Sequence, residues 1–379
     1  MARQDPLLLT PGPLTTSATV KAAMLHDWGS RDETFIAMNR SVRDRLVELA
    51  NGRGSHVAVP IQGSGTFAVE AMLGTFVPRD GRVLVLANGA YGQRMVAICK
   101  ATGRDVVTYE TAEHQPPDPA AVRQRLAADP AIGHVAMIHC ETTAGIVNPI
   151  AEVAAVVAEA GRRLLIDSMS GFGALPVDAA RLPFDGLASS ANKCLQGVPG
   201  LAFVLCRETA LAETAGRAPS VSLDLHAQWR AMEKDGQWRF TPPTHVVAAL
   251  QQALAEHAAE GGVEGRRRRY EENCRVLIDG MRRIGFEPLL PAALQAPIIV
   301  TFLMPKAAGF DFGRFYDGLK QKGYVIYPGK LTQVDSFRMG CIGDLHPEDM
   351  RDVLMAVETT LVEMGVSLHP AALAGGARR

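Results

Sequence analysis

One lysine stands between small polar residues and a Gly/Pro turn, in the run Ser189-Ser190-Ala191-Asn192-Lys193-Cys194-Leu195-Gln196-Gly197-Val198-Pro199-Gly200. An apolar run precedes it and a turn follows, which places the amine in a cleft rather than on a charged helical face. Burial there disfavours the ammonium form and leaves a nucleophile able to condense with a carbonyl. The alternative is a strand-end lysine whose ammonium reaches water. What else the chain brings to the same place decides between them.

Four other groups are candidates for that place. Gln62-Gly63-Ser64-Gly65-Thr66 follows a strand expected over 57–61 and opens an apolar helix over 67–76. In such a turn Ser64, Gly65 and Thr66 let backbone N–H groups approach a phosphate, and the helix N-terminus favours its charge. A plain N-cap explains the turn equally well. It is neither a Walker A loop, since no lysine follows, nor a GxGxxG turn. Tyr91, in Asn88-Gly89-Ala90-Tyr91-Gly92, closes a strand expected over 82–87, and Thr142 follows one over 134–139. Asp167 ends a strand over 163–166. Tyr91 reads by itself as core, Thr142 is unremarkable, and Asp167 reads as a helix cap or a loop aspartate.

No spacing rule joins these groups, but a parallel sheet does. Strands and helices alternate from about residue 57 to 206, which predicts an α/β fold with a mostly parallel sheet between helices. Ligands of such sheets lie beyond the carboxyl ends of the strands, where all five candidates fall. An extended Pro/Thr-rich arm is expected over 1–20, a large domain over 21–262 and a smaller α+β domain over 263–370, with a disordered tail over 371–379. Residues 229–240 read as loop, Thr241-Pro242-Pro243-Thr244 as a helix cap, and a long helix is expected over 263–284. In the smaller domain strands are expected over 298–304, 324–327 and 336–339, and helices over 312–322 and 347–364. Arg338 lies in the last of those strands between Phe337 and Met339. A charge placed there needs a partner, and a structural ion pair would supply one.

Composition narrows the function. A chain of 379 residues that is 47% hydrophobic and 21% charged, with a net charge of −1, has the makings of a large core and no long-range field for nucleic acid or anionic membrane. The basic run Arg266 to Arg269 reads as a solvated helix face. The apolar start is too short and too soon broken by proline for a signal peptide, which points to the cytoplasm. Six cysteines without CxxC spacing read as reduced thiols, and no metal site is expected.

The chain resembles the fold-type I, class V aminotransferases. The likeness rests on Leu7 to Thr16 with its Thr-Pro-Gly-Pro arm, Gln62 to Gly65, Asn88 to Gly92, Ser189 to Gly200, Trp238-Arg239-Phe240-Thr241 and Tyr327-Pro328-Gly329-Lys330. Ser-Ala-Asn-Lys-Cys with Gln-Gly-Val-Pro-Gly points to the narrower family of 2-aminoethylphosphonate:pyruvate transaminases. The run Trp28 to Thr34 departs from that family's pattern. The resemblance implies pyridoxal 5'-phosphate attached to Lys193, with Asp167 on the pyridine nitrogen and Ser64, Gly65 and Thr66 on the phosphate. It gives Tyr91 a stacking role, Thr142 a place by the ring hydroxyl, and Arg338 the substrate anion. Thr241 would reach the phosphate of a neighbouring subunit, implying a homodimer. The expected reaction is transfer of an amino group to pyruvate in phosphonate catabolism, giving phosphonoacetaldehyde and L-alanine. Another class V aminotransferase acting on alanine or serine with glyoxylate or pyruvate, a cysteine desulfurase or lyase, or a non-catalytic pyridoxal-phosphate-binding protein remain the alternatives.

Overall fold

The computed structural model describes residues 5–331 and 334–368, so the expected tail 371–379 lies outside the described residues. In chain order the strands are β1 (Leu7–Leu8), β2 (His56–Gln62), β3 (Arg82–Ala87), β4 (Asp105–Glu110), β5 (Ile132–Ile138), β6 (Cys140–Glu141) and β7 (Ile146–Val147). They continue with β8 (Arg163–Asp167), β9 (Gly186–Ser190), β10 (Leu201–Arg207), β11 (Ile299–Leu303), β12 (Tyr324–Val325), β13 (Tyr327–Pro328) and β14 (Ser336–Gly340). Seven of them form one sheet in the order β2-β10-β9-β8-β5-β3-β4. Only β10 runs antiparallel to its neighbours in that sheet.

Alternation along these strands feeds two cores. Leu201, Phe203 and Leu205 face one cluster, shared with helices Glu33–Leu49, Ile150–Glu159 and Thr244–Ala259. Ala202, Val204 and Cys206 face the other, shared with helices Gly65–Phe76 and Ala90–Ala101. Each large side chain so buried contributes roughly 1.5–3 kcal/mol, which fixes register as well as fold. In that register Asp167 stands beside Ile138 on one side and Ala188 on the other. The segments leaving β5, β8 and β9 therefore emerge together at one edge.

A second, antiparallel sheet in the order β11-β14-β13 packs Phe302 and Phe337 against Phe286 and Phe315. The N-terminal arm joins this layer. β1 pairs in parallel with β12, and Leu7 and Leu9 sit in the same phenylalanine-rich cluster. The strand expected over 324–327 is thus two short ones with different partners, divided at the buried Ile326.

Two expectations are corrected. Part of 229–240 is the helix Leu225–Asp235: Asp224 caps it by accepting from the Ala227 N–H at 2.9 Å, Leu225, Trp229 and Met232 are buried at i, i+4 and i+7, and Gly236 ends it at φ +78°. The arginine run is not a solvated face either. Arg266 is 1% exposed and pairs with Glu260 at 2.6 Å, while Arg269 bonds Glu260 and the carbonyl of Gly343; only Arg268 is exposed. All six cysteines are buried free thiols.

Candidate active site

The turn that carries Lys193 is held from three sides. The Ala191 N–H bonds the Leu201 carbonyl at 3.0 Å, and the Gly197 N–H bonds that of Ala191 at 2.8 Å. Gln196 takes a left-handed φ of +62°, and its Nε2 donates to Tyr270 Oη and to the Gly343 carbonyl, both at 2.6 Å. Arg266 donates to the carbonyl of Cys194. Lys193 is left with its amine inside the fold, where Nζ donates to the Pro11 carbonyl at 2.7 Å. Burial lowers the amine's pKa against the pull of Tyr91 and Asp167, and the Arg338 charge lowers it further. Gly12, at φ +120°, makes this approach possible, since a Cβ there would lie 2.6 Å from Lys193 Cδ.

Lys193 opens on a cavity of about 350 Å³ whose walls include Ser64, Gly65, Thr66, Tyr91, Thr142 and Asp167. Asp167 is 6% exposed, and burial pushes its pKa up to about 6. The Met169 N–H partly offsets this by donating to Oδ1 at 2.8 Å, while Oδ2 bonds no described residue. Ser64 is the N-cap of helix Gly65–Phe76 but makes no side-chain cap, which leaves the N–H groups of Gly65 and Thr66 open, while that of Phe67 bonds the Ser64 carbonyl at 2.9 Å. Gly65 lets that end lie against Met169, whose Sδ would be 2.3 Å from a Cβ.

Tyr91 is aimed by a carboxylate the sequence reading did not single out. Glu141, fully buried in β6, accepts from the N–H groups of Tyr91 and Gly92 at 3.2 Å each, and from Thr143 N and Oγ1 at 3.0 and 2.6 Å. It thereby caps the helix Ala90–Ala101 that begins with Tyr91's turn. Burial raises the Glu141 pKa in spite of these donors. The Tyr91 ring has Lys330 Nζ 4.2 Å from its centroid and Arg94 Cζ at 4.8 Å. Burial pushes its hydroxyl pKa up, but Lys193, Lys330 and a bond to Thr142 outweigh it, and the net shift is down.

Arg338, in β14, donates through Nε to the Pro328 carbonyl at 3.2 Å and through Nη1 to that of Thr142 at 2.9 Å. Among the described residues no carboxylate stands within ion-pair distance of it. Burial lowers its pKa. Thr241 is exposed and does not line the cavity. The divergent loop does not line it either: Trp28 packs against the core cluster that helix Glu33–Leu49 shares, and none of 28–34 is in the cavity wall. The reading missed Gly12, Arg94, Glu141 and Met169. Arg94 carried a signal, being one helical turn beyond Tyr91; it lines the cavity and donates to Thr66 Oγ1 at 3.1 Å. The Pro11 carbonyl carried none, because a main-chain acceptor has no residue type.

A concealed amine, a buried carboxyl with an oxygen to spare and an open helix N-terminus thus surround one cavity, suited to a small ring with an anionic arm. Residues 17–326 match the model of the family described as aminotransferase class-V. A 2-aminoethylphosphonate–pyruvate transaminase of Pseudomonas putida (strain W619) is 56% identical over 361 residues, 95% of this chain and 98% of that protein. One of Pseudomonas fluorescens (strain Pf-5) is 54% identical over 366 residues, 97% and 99% of the two chains. The solved pyridoxamine-pyruvate aminotransferase of Mesorhizobium loti superposes with a TM-score of 0.88 at 24% identity, covering 98% of this chain and 95% of that one.

Proposed function

The chain belongs to the class-V aminotransferase family, and from that premise we propose that it transfers the amino group of 2-aminoethylphosphonate to pyruvate, releasing phosphonoacetaldehyde and L-alanine. Its fold is that of the fold-type I transaminases and its cofactor is pyridoxal 5'-phosphate. The observation that carries the chemistry is the buried Lys193 amine facing the same cavity as Asp167 and the open N-terminus of helix Gly65–Phe76.

The residues present fit that cofactor. Asp167 has Oδ2 to give to a ring nitrogen, and the uncapped helix end at Ser64 to Thr66, with Arg94 beside it, suits a phosphate. When bound, the cofactor supplies a carbonyl for an amine and a ring that takes up electrons as a proton leaves the substrate carbon. Asp167 holds the ring nitrogen protonated. Lys193 Nζ, once displaced by the incoming amine, would take the proton from the amine-bearing carbon and deliver it to the cofactor carbon that had carried the carbonyl. Arg338 takes the substrate anion, phosphonate in one half-reaction and carboxylate in the other, which a guanidinium suits in both. Tyr91 would cover a ring face and Thr142 would border the ring hydroxyl. The exposed Thr241 would reach the phosphate held by a second copy, the working unit then being a homodimer. The arm, the large domain to residue 262 and the smaller domain beyond it, together with a cytoplasmic location, belong to the same proposal. Among the described residues no helix is long and apolar enough to cross a membrane. A desulfurase would want an exposed thiol on a mobile loop, whereas Cys341 is fully buried with its pKa well above the usual thiol range.

The test is a single half-reaction followed by cofactor absorbance. Purified enzyme mixed with 2-aminoethylphosphonate converts to its amino form faster than with alanine or serine at equal concentration. Preference for alanine or serine overturns the substrate; a Lys193→Ala variant with the wild-type spectrum and turnover overturns the lysine.

A further inference from the structure

We propose that Lys330 is a specificity-determining residue, supplying a second positive charge to the phosphonate of the amino donor beside the charge of Arg338. This rests on the proposed function and deepens it. A carboxylate carries one negative charge and one guanidinium balances it. A phosphonate has a second acidic oxygen whose ionisation a neighbouring cation favours, and a dianion taken out of water needs more than one cation.

The fold delivers two cations from one hairpin. β13 and β14 pair with Tyr327 opposite Arg338, and the Gly329 N–H bonds the Ser336 carbonyl at 2.8 Å. A Cβ on Gly329 would lie 2.3 Å from Ser336 O, so the turn that launches Lys330 admits only glycine. The carbonyl of Pro328, two residues before Lys330, is the acceptor of Arg338 Nε. Both side chains converge on the Tyr91 and Thr142 wall: Lys330 Nζ is 4.2 Å from the Tyr91 ring centroid, and Arg338 bonds the Thr142 carbonyl. Lys330 is half-buried, and among the described residues neither cation has a carboxylate within ion-pair distance. Neither cation lines the cavity itself, but each touches a residue that does, and two cations left without a counter-ion beside that wall make a site for a divalent anion. Arg94 lies 4.8 Å from the same ring centroid, but its Nη1 bonds Thr66 Oγ1, in the turn assigned to the cofactor phosphate.

The experiment compares Lys330→Met with wild type, both loaded with cofactor. Calorimetry gives the dissociation constants of ethylphosphonate and propionate, which bind without reacting, and half-reaction titrations give those of 2-aminoethylphosphonate and L-alanine. Lys330→Met raises the phosphonate-to-carboxylate ratio of dissociation constants by roughly 10- to 100-fold, the range of a lost charged hydrogen bond. Lys330→Arg returns the ratio toward wild type, and the deficit of Lys330→Met shrinks as pH falls below the second phosphonate ionisation. An unchanged ratio, or a deficit independent of pH, overturns the role of Lys330. Failure of the wild type to react with 2-aminoethylphosphonate overturns the proposed function instead, and the ethylphosphonate and propionate constants still judge Lys330.

Discussion

Arg266 Nη1 donates to the carbonyl of Cys194 at 2.5 Å, so a buried guanidinium grips the residue next to Lys193. Its Nε is paired with Glu260, which Arg269 also holds, and this leaves the Cys194 carbonyl as the bond only Arg266 makes. Arg266→Met should cost about 2–4 kcal/mol of stability in urea unfolding. Because the turn after Lys193 loosens, turnover should fall further than the folded fraction at the assay temperature. A variant with wild-type midpoint and turnover contradicts this.

Gly12→Ala tests the approach of the arm to the nucleophile. The methyl group would fall 2.6 Å from Lys193 Cδ and 2.8 Å from Nζ, on a backbone at φ +120° that alone costs about 1–3 kcal/mol for a side chain. The expected outcome is displacement of the amine, seen as a changed visible spectrum of the cofactor-loaded protein and a fall in kcat on the order of 100-fold. An unaltered spectrum contradicts it.

Asp167 gives the cofactor-free protein a pH dependence whose sign follows from its raised pKa. Burial moves it from 3.8 to about 6, so the folded state favours the protonated carboxyl. That stabilisation is complete below the unfolded value and is lost as pH rises through about 6, on the order of 3 kcal/mol between pH 4 and 7. Asp167→Asn should remove this slope, making the cofactor-free protein more stable than wild type at pH 7 while nearly abolishing transamination. Parallel stability–pH curves for the two proteins contradict it.

Glu141→Ala should leave the N–H groups of Tyr91, Gly92 and Thr143 short of an acceptor in a dry site. The expected loss is about 2–4 kcal/mol, read as a lowered Tm. KM for the amino donor should rise with it, since Tyr91 rides on the helix that Glu141 caps. A lowered Tm with unchanged KM would separate the cap from the aim of Tyr91.

That Lys193 and Asp167 face one cavity was legible because Asp167 ends β8 and Lys193 follows β9 by three residues, and parallel strands deliver their carboxyl ends to one edge. Arg266 was misread because four consecutive arginines point all round a helix; only burial tells that Arg266 and Arg269, three apart, face inward. The helix over 225–235 was missed because its cap, Asp224, and its first apolar residue, Leu225, precede the stretch that read as loop. Thr241 has a place in the reaction only if another chain is beside it, and no periodicity within one chain reveals that. The hold of Glu141 on Tyr91 depends on a two-residue strand too short to leave a pattern.

The arm that ends at Pro11 measures one layer of the protein against the other. Leu9 bonds Val325 through its N–H at 2.9 Å and accepts from the Gly340 N–H at 2.9 Å, so it is pinned to the small sheet. Two residues later the Pro11 carbonyl holds Lys193 Nζ, while the lysine's main chain follows β9 of the large sheet. The nucleophile therefore has its root in one frame and its tip in the other, and any sliding between the two sheets is felt first as slack or tension along that single side chain.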